Sequence, residues 1–487
     1  MLARRRRVGM GLGLLALLVL GCAVNPVTGK RELSLVSESQ EIEIGRSSDP
    51  QIVASYGLYD DADLAAFVDA IGQKMAALSH LPDLKFTFRV LDSPVINAFA
   101  LPGGYVYVTR GILAHMNNEA ELAVVLGHEI GHVTARHGAR RQTNATLAGL
   151  GIGLGGALVP QVAQYSPVLQ QSLGLLFLKY GRDDEHQADE LGVAYSLAAG
   201  YDPEAGSRFF EVLDRQMQES GQSLPGWLST HPDPGDRVKR TRDLSRQAKA
   251  ATAGPWEVRE VELKNRVDGV VFGNNPRQGF SRGRDFLHPD MQFAVSFPEG
   301  WQIQNTPSAV LSGDAEGTAQ VQMTLEATEG ASLEAYVTSL AATANATIVN
   351  SGAKTIGPYA AYEALLQIAS DTQVQQVLIT CIQRKDEASL FRFLGFAADM
   401  QVSLKTLQQV AASFRALEEA DVLTVQPNRL RLKTINRSIT LQAAVQNDSS
   451  VPVDVGTLAI LNNLQANSPL ASGFLLKIVQ GSFTPSN

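Results

Sequence analysis

Two histidines and a glutamate in the stretch His128-Glu129-Ile130-Gly131-His132 have the residue types and the spacing that bind a metal ion. Residues four apart on a helix share a face, so the two imidazoles can meet one Zn²⁺ at ~2.0–2.1 Å. Glu129 is rotated away from that face and can reach a water molecule beside the metal instead. The motif therefore predicts metal-assisted hydrolysis, with His128 and His132 as ligands and Glu129 as the catalytic base.

The alternative is that these residues are ordinary core side chains. The segment around the motif is strongly apolar, with Leu122, Val125, Leu126 and Val133 at its flanks. A glutamate buried in such a segment without a partner is costly. A metal site gives the glutamate and both histidines a role that a plain hydrophobic core does not, so we favour the metal site.

A catalytic zinc site needs a third protein ligand and an open position. The chain has only two cysteines, Cys22 and Cys381, which excludes a cysteine-based site. Glu185 and Asp189 are four apart on a second predicted helix, so they share a face. Glu185 can complete the ligand set while Asp189 accepts a hydrogen bond from a ligating imidazole. Acidic pairs at this spacing are also common on solvated faces, so the prediction depends on the first motif.

The elements that must position these residues are mostly helices. Apolar residues recur at helical spacing over 61–78, and an apolar helix begins near Asn118 and contains the motif. Strands are predicted at 85–91 and 105–108. The pattern therefore predicts a mostly helical domain over residues 46–245.

The N-terminus carries a pattern typical of export. Residues 4–7 are four arginines, residues 9–20 are apolar, and a small residue then precedes Cys22, as in a bacterial lipobox. This order predicts a signal peptide over residues 1–21 and a lipid on Cys22. An ordinary signal peptide or a short anchor is the alternative.

The residues after Cys22 indicate where the protein acts. Residues 22–45 begin with a polar, turn-rich stretch and are predicted to be a lipidated tether. Ala23, rather than an aspartate, follows the cysteine, which by the sorting pattern of bacterial lipoproteins indicates the outer membrane. We therefore expect a protein anchored to the membrane on the periplasmic side of a Gram-negative cell envelope. The net charge of −8 gives no basic surface for nucleic acid, so nucleic-acid binding is excluded.

The C-terminal half has a different pattern. Residues 257–420 show alternating strands and two helices and predict an α+β, sandwich-like domain that resembles PsbP-like domains. Residues 426–481 are similar to a small LysM module, a type of domain that often binds peptidoglycan. The usual Gly-Asp-Thr is absent, and residues 436–440 stand in its place. A purely structural role for this module is therefore an equal alternative.

Across residues 25–245 the chain resembles the zinc metallopeptidase family of HtpX and the CAAX prenyl protease. The resemblance implies an α+β protein with a zincin-type (gluzincin) peptidase domain and one Zn²⁺ per chain. An Asn-Pro-Val-Thr-Gly stretch at 25–29, together with the export signal, resembles the periplasmic branch that includes BepA. Gly181 departs from the serine common in the family, and no tetratricopeptide array follows. The resemblance is carried by the two motifs above and by segments 93–104, 200–203 and 229–232.

His231 is a further candidate within this resemblance. It lies in Thr230-His231-Pro232, where it can stabilise an oxyanion or fill the open position of the metal in a latent state. A surface-loop role is the alternative. Arg237 is expected to brace the same region. His137, nine residues after His128, would lie on the opposite face of a continuous helix and is expected to take no part in the site.

The predicted function follows from these parts. The segment formed by Asn97, Ala98, Phe99 and Ala100 is expected to be an edge strand that pairs with the backbone of an extended substrate. We expect a zinc-dependent endopeptidase that hydrolyses peptide bonds of misfolded cell-envelope proteins. The alternative is a chaperone-like or murein-associated binding protein with a latent peptidase site.

Overall fold

The computed structural model describes residues 22–151, 179–220, 231, 234–369, 374–384, 388–446, 448 and 450–484. The predicted signal peptide lies outside the described residues. The chain divides into two compact units. Unit 1 comprises the described residues within 1–273 and 429–480, and unit 2 comprises those within 274–428 and 481–487. The long segment of unit 2, residues 274–428, is therefore inserted into the sequence of unit 1.

The first part of unit 1 is mostly helical. Its strands are β1 (Cys22–Val24), β2 (Arg31–Leu33), β3 (Thr87–Leu91), β4 (Ala98–Leu101) and β5 (Tyr105–Thr109). Its helices are α1 (Glu38–Tyr56), α2 (Ala62–Ala76), α3 (Arg110–His115), α4 (Glu119–Thr134), α5 (His137–Gly151), α6 (Arg182–Ala198), α7 (Glu204–Ser220), α8 (Pro234–Ala250) and α9 (Glu260–Val267). The predicted helix over 61–78 and the two predicted strands are confirmed as α2, β3 and β5.

Strands β3, β5 and β4 form one small sheet, in that order. β3 and β5 run parallel, whereas β4 and β5 are antiparallel, with Ala98 opposite Val108. Within this sheet β4 pairs only with β5, so it lies at an edge. All four residues of β4 are buried.

Helix α4 is the centre of unit 1, and all of its residues are buried. Its N-terminus is capped by Asn118, whose side chain accepts a hydrogen bond from the backbone N–H of Glu121 at 2.9 Å. The helix packs closely on α6 because glycines meet at the crossing. A Cβ on Gly127 would lie 3.1 Å from Cα of Gly192, and one on Gly192 would lie 3.0 Å from the backbone nitrogen of His128. This close approach brings side chains of α6 to the motif on α4.

The second part of unit 1 completes the same hydrophobic core. It contains β17 (Arg429–Thr434), β18 (Ile439–Thr440), α13 (Leu441–Val445), α14 (Val455–Leu461), β19 (Pro469–Leu470) and β20 (Leu475–Gln480). β17 pairs with β20, and β18 pairs with β19. Several of its apolar side chains belong to the core cluster that contains α4, namely Leu430, Leu458, Leu461, Leu476 and Val479.

Polar contacts tie this second part to the first. Lys477 is fully buried, and its ammonium donates to the carbonyls of Ala114 at 2.9 Å and Met116 at 2.7 Å. Val271 and Arg429 form an antiparallel bridge, so the chain leaves unit 1 and re-enters it at adjacent points.

Unit 2 is rich in β-structure. Its elements are β6 (Phe280–Arg282), β7 (Asp285–His288), β8 (Phe293–Ser296), β9 (Gln302–Asn305), β10 (Ala309–Gly313), β11 (Ala319–Ala327), α10 (Leu333–Thr343), β12 (Ala346–Ile356), β13 (Tyr359–Ala369), β14 (Val374–Gln383), β15 (Ser389–Ala397), α11 (Met400–Ala412), β16 (Arg415–Ala416) and α12 (Ala420–Leu423), with a 3₁₀ turn at Pro276–Gln278. A seven-stranded sheet has the order β12-β13-β14-β15-β11-β10-β9, and a four-stranded sheet has the order β16-β8-β7-β6. The prediction of a helical N-terminal part and an α+β, sheet-rich C-terminal half is confirmed.

Within the described residues, no helix combines the length and the apolar character needed to cross a bilayer. Cys22 begins β1, where it pairs with Leu33. Its lipidation stays a prediction.

Candidate metal centre

Four side chains from three parts of unit 1 converge on one buried point. His128 and His132 project from α4, Glu185 projects from the first turns of α6, and His231 precedes α8. One ligand atom from each lies within 4.8 Å of the others, and none of the four residues is more than 2% exposed. The two predicted motifs are therefore brought together, and His231 joins them.

The distances between these atoms fit a tetrahedral zinc site. With bonds of ~2.0–2.1 Å, the ligand atoms of such a site are roughly 3.3–3.4 Å apart. Here Nε2 of His128 lies 3.0 Å from Nε2 of His132 and 3.4 Å from Nδ1 of His231. Oε1 of Glu185 lies 3.5 Å from Nε2 of His132 and 2.8 Å from Nδ1 of His231. The donor set of imidazole nitrogens and one carboxylate is also one that zinc prefers.

The protonation states suit metal binding. Burial lowers the pKa of His128 to about 4 and the pKa of His132 well below its usual value, so both imidazoles are neutral near pH 7. Burial alone would raise the pKa of Glu185, but His231 and Arg237 beside it outweigh that effect and lower the pKa well below its usual value. The site therefore offers neutral nitrogens and an ionised carboxylate, which are the forms that bind a metal.

Glu129 lies beside these residues and differs from them. It is fully buried, and neither of its carboxylate oxygens makes a hydrogen bond. Oε1 lies 3.5 Å from Nε2 of His231. Burial raises the pKa of Glu129 to about 7. A carboxylate with this pKa can accept a proton and release it again near neutral pH, as a general base must.

Asp189 and Arg237 support the site from one side. Oδ1 of Asp189 lies 3.0 Å from Nδ1 of His128, and Arg237 donates to the same oxygen at 2.5 Å. Arg237 also places Nη1 3.2 Å from Oε2 of Glu185. Because the Asp189 carboxylate is ionised, with a lowered pKa, it accepts from Nδ1–H of His128 and leaves Nε2 to face the cluster. The roles of Asp189 as a partner of His128 and of Arg237 as a brace stay predictions.

The predicted substrate strand lies next to the site. Ala98, Phe99 and Ala100 belong to β4, and Asn97 precedes it. A small cavity beside the site is lined by residues that include Ala100 and His132. The end of this edge strand therefore lies close to one of the two motif histidines.

His137, for which the sequence predicted no role, contacts the site. On a continuous helix, His137 would lie opposite His128, nine residues earlier, and was therefore expected to be uninvolved. This expectation is wrong because α4 ends at Thr134, and Arg136, with a φ of 55°, reverses the chain. Nδ1 of His137 lies 2.9 Å from Nδ1 of His132. The short separation of His132 and His137 along the chain was the only signal of this contact in the sequence.

Tyr180 is a second neighbour that the sequence did not indicate. Its ring stacks on the ring of His132, with centroids 3.7 Å apart and an interplanar angle of 22°. Tyr180 is buried, and the guanidinium of Arg141 covers its ring at 3.7 Å from the centroid. The plane of the His132 imidazole is therefore fixed by an aromatic contact.

Comparisons with known proteins show what the chain is similar to. Residues 63–245 match Peptidase family M48. A putative beta-barrel assembly-enhancing protease of Vibrio cholerae is 32% identical over 222 residues, which are 44% of this chain and 46% of that protein. The mitochondrial metalloendopeptidase OMA1 of Arabidopsis thaliana is 36% identical over 200 residues, which are 40% of this chain and 38% of that protein.

The beta-barrel assembly-enhancing protease of Escherichia coli K12 is 30% identical over 231 residues, which are 46% of this chain and 47% of that protein. This chain therefore spans less than half the length of each of these three relatives. Among solved structures, cyanobacterial PsbP from Synechocystis covers 28% of this chain and 94% of its own, at 14% identity and a TM-score of 0.23. At that score, the PsbP-like and LysM-like assignments stay predictions.

Proposed function

We propose that the protein is a zinc-dependent endopeptidase acting on polypeptides of the cell envelope, on the premise that residues 63–245 match Peptidase family M48. The predicted family, enzyme class and metal are confirmed at the level of the domain. The observation that carries the proposal is the buried set of His128, His132 and Glu185 beside Glu129, whose carboxylate makes no hydrogen bond.

The proposed roles follow from the positions of the side chains. A bound zinc ion would polarise a peptide carbonyl and lower the pKa of a water molecule. His128, His132 and Glu185 would hold the ion, and Asp189 would keep the His128 ring in the required tautomer. Glu129 would take a proton from the attacking water on a carboxylate oxygen and deliver it to the leaving amine. Its raised pKa, about 7, suits both transfers.

We propose that His231 blocks the site in this conformation. Its Nδ1 lies at hydrogen-bonding distance from Oε1 of Glu185 and 3.4 Å from Nε2 of His128, which is the separation expected of a fourth ligand. His231→Ala should then raise the turnover rate. If His231 instead stabilises the oxyanion, the same variant should lower kcat by ~10²-fold or more. A turnover rate equal to that of the wild type would contradict both roles.

The proposed substrates are extended or unfolded chains. An edge strand can pair with the backbone of such a chain whatever its side chains are, and β4 is an edge strand near His132. Location in the envelope is supported by the predicted signal peptide, by the predicted lipid on Cys22, and by relatives named beta-barrel assembly-enhancing proteases. We propose the periplasmic side of the outer membrane.

The decisive experiment is the Glu129→Gln variant. Zinc content should stay at that of the wild type because Glu129 is not a ligand, while the rate of casein cleavage should fall ~10²–10⁴-fold because the base is lost. The matched control is Glu190→Gln, which removes an exposed glutamate from α6 and should leave both values unchanged. Full activity in Glu129→Gln, or a wild-type protein that binds no zinc, would contradict the proposal.

The latent alternative is supported by the same contact between His231 and Glu185. A chaperone-like or murein-associated protein would show zinc binding without casein cleavage in the wild type and in His231→Ala. Release of peptides from purified murein would identify the murein-associated form.

A further inference from the structure

The two motif histidines are held by different partners on their outer sides. Nδ1 of His128 faces the Asp189 carboxylate, which is an acceptor only. Nδ1 of His132 faces Nδ1 of His137 at 2.9 Å. A neutral imidazole nitrogen can donate or accept, so the contact alone does not decide which histidine carries the proton.

The contacts of the other ring nitrogen of His137, Nε2, indicate which of the two histidines carries the proton. Nε2 of His137 lies 3.0 Å from Oε1 of Gln187 on α6, and Oδ1 of Asp184 lies 3.9 Å from the same nitrogen. Both oxygens are acceptors, so Nε2 of His137 carries a proton and donates to Gln187. Nδ1 of a neutral His137 is then an acceptor, and it takes its hydrogen bond from Nδ1–H of His132. This leaves a lone pair on Nε2 of His132, the atom that faces the ligand cluster.

We propose that His137 and Gln187 are positioning residues that set the tautomer of His132, so that its Nε2 can bind the metal. This inference rests on the proposed zinc site. It concerns two residues, His137 and Gln187, that lie outside the proposed set of metal ligands. The arrangement is rigid, because His137 is fully buried and Gln187 lies on α6, the helix that also carries Glu185.

If the proposal is correct, position 137 requires a hydrogen-bond acceptor and not only a side chain that fills the space. In His137→Leu the acceptor is lost, and zinc affinity should fall ~10–100-fold, the range usual for partners of ligating histidines. In His137→Asn the side-chain oxygen can take the place of Nδ1, so affinity should return to within a few-fold of the wild type. A residue that only filled space would give the two variants the same affinity.

Position 187 provides a second pair of variants, at the partly exposed end of the hydrogen-bonded series His132, His137 and Gln187. Gln187→Glu keeps an acceptor opposite Nε2 of His137 and should preserve zinc affinity. Gln187→Lys places a donor there, which forces the opposite tautomer on both histidines, so zinc affinity should fall by a similar ~10–100-fold. This pair keeps the proposal testable if a substitution of the buried His137 prevents folding.

The measurement is the zinc dissociation constant of the full chain, obtained by competition with a chelator, with the visible absorption spectrum of the Co²⁺-loaded protein as a second readout. Glu190→Gln on the same helix is the control and should bind as the wild type does. Equal dissociation constants for Gln187→Glu and Gln187→Lys would overturn the proposal, as would an unchanged constant in His137→Leu. If the wild type binds zinc but cleaves no peptide, only the proposed function fails. If the wild type binds no zinc, both fail.

Discussion

Units 1 and 2 differ in what they bury. Among the described residues, every charged side chain that is buried belongs to unit 1. The buried polar side chains of unit 2 are uncharged, namely Ser312, Thr328, Thr380 and Asn428. Because burying a charge is costly unless it is paired or hydrogen-bonded, unit 1 must keep these groups for a purpose. Within the part of unit 2 that the structure describes, the core is apolar and no charged side chain is buried.

Two groups can be distinguished among the buried charges of unit 1. One group surrounds the metal centre. A second group links distant parts of the chain to the core: Lys477 donates to the carbonyls of Ala114 and Met116, Lys264 donates to the carbonyl of Leu475 at 2.6 Å, and Arg110 donates to the carbonyl of Val271 at 2.9 Å. The comparison indicates that residues 429–480 are a structural part of unit 1, whereas residues 274–428 are an insertion.

Deletion of residues 429–480 is the change with the largest expected effect. Each apolar side chain lost from the core contributes ~1.5–3 kcal/mol, and five such losses are comparable to the ~5–15 kcal/mol total stability of a typical domain. We expect unit 1 not to fold and the protein not to retain zinc, as measured by circular dichroism and metal analysis. Native-like zinc binding by this variant would show that the module is dispensable. The side chains lost include Leu430, Leu458, Leu461, Leu476 and Val479.

A substitution of one buried lysine tests, with a smaller expected effect, whether residues 429–480 stabilise unit 1. Lys477→Met leaves two buried carbonyls without their donor, at a cost of ~1–3 kcal/mol each. The matched control is Lys354→Met in unit 2, where the lysine is 44% exposed and pairs with Glu363, so the loss should be at most ~1 kcal/mol. Urea denaturation of both variants gives the two free energies of unfolding. Equal values would remove the contrast between the units.

The pH dependence of stability offers a third test. Burial lowers the pKa of His115 in α3 to about 4, from an ordinary value of 6.5. Between these values the unfolded chain binds a proton that the folded chain does not, so stability is full above pH 6.5 and is lost as the pH falls toward 4. The loss from this residue is at most ~3 kcal/mol. His115→Gln keeps a donor for the Gly111 carbonyl but does not titrate, so its melting temperature should fall less between pH 7 and pH 5. A parallel fall in both proteins would contradict the assignment.

The smallest effect is expected from removing unit 2. Because Val271 and Arg429 are bridged, a short Gly-Ser linker can join residue 273 to residue 429. We expect this variant, which also lacks residues 481–487, to bind zinc within about twofold of the full chain because the core of unit 1 is complete. A chelator competition assay measures it. Loss of zinc binding would show that unit 2 supports the metal centre after all.

The metal centre was largely predictable because its geometry is local. Spacing of four residues on a helix places His128 with His132 and Glu185 with Asp189, whatever the rest of the fold is. The family resemblance added His231, which lies outside any regular pattern. Strands β3 and β5 were predictable for the same local reason, since their apolar residues are bounded by turn residues.

The contacts that the sequence predicted wrongly or did not predict depend on long-range structure. His137 was misplaced because the helix was assumed to continue past Thr134, whereas Arg136 turns the chain back. The role of Lys477 could not be read from a run that looks like an ordinary strand, because its partners lie more than 350 residues earlier in the sequence. Tyr180 gave no signal, since stacking on His132 follows no sequence spacing.

The interleaved order of the units has a consequence for how the protein is made. A ribosome adds ~5–20 residues per second, so roughly 8–30 s pass between the synthesis of residue 273 and that of residue 429. Throughout that interval α4 lacks the strands and helices that complete its core. The nascent chain therefore contains every proposed metal ligand before the segment that completes the core around α4 has been synthesised.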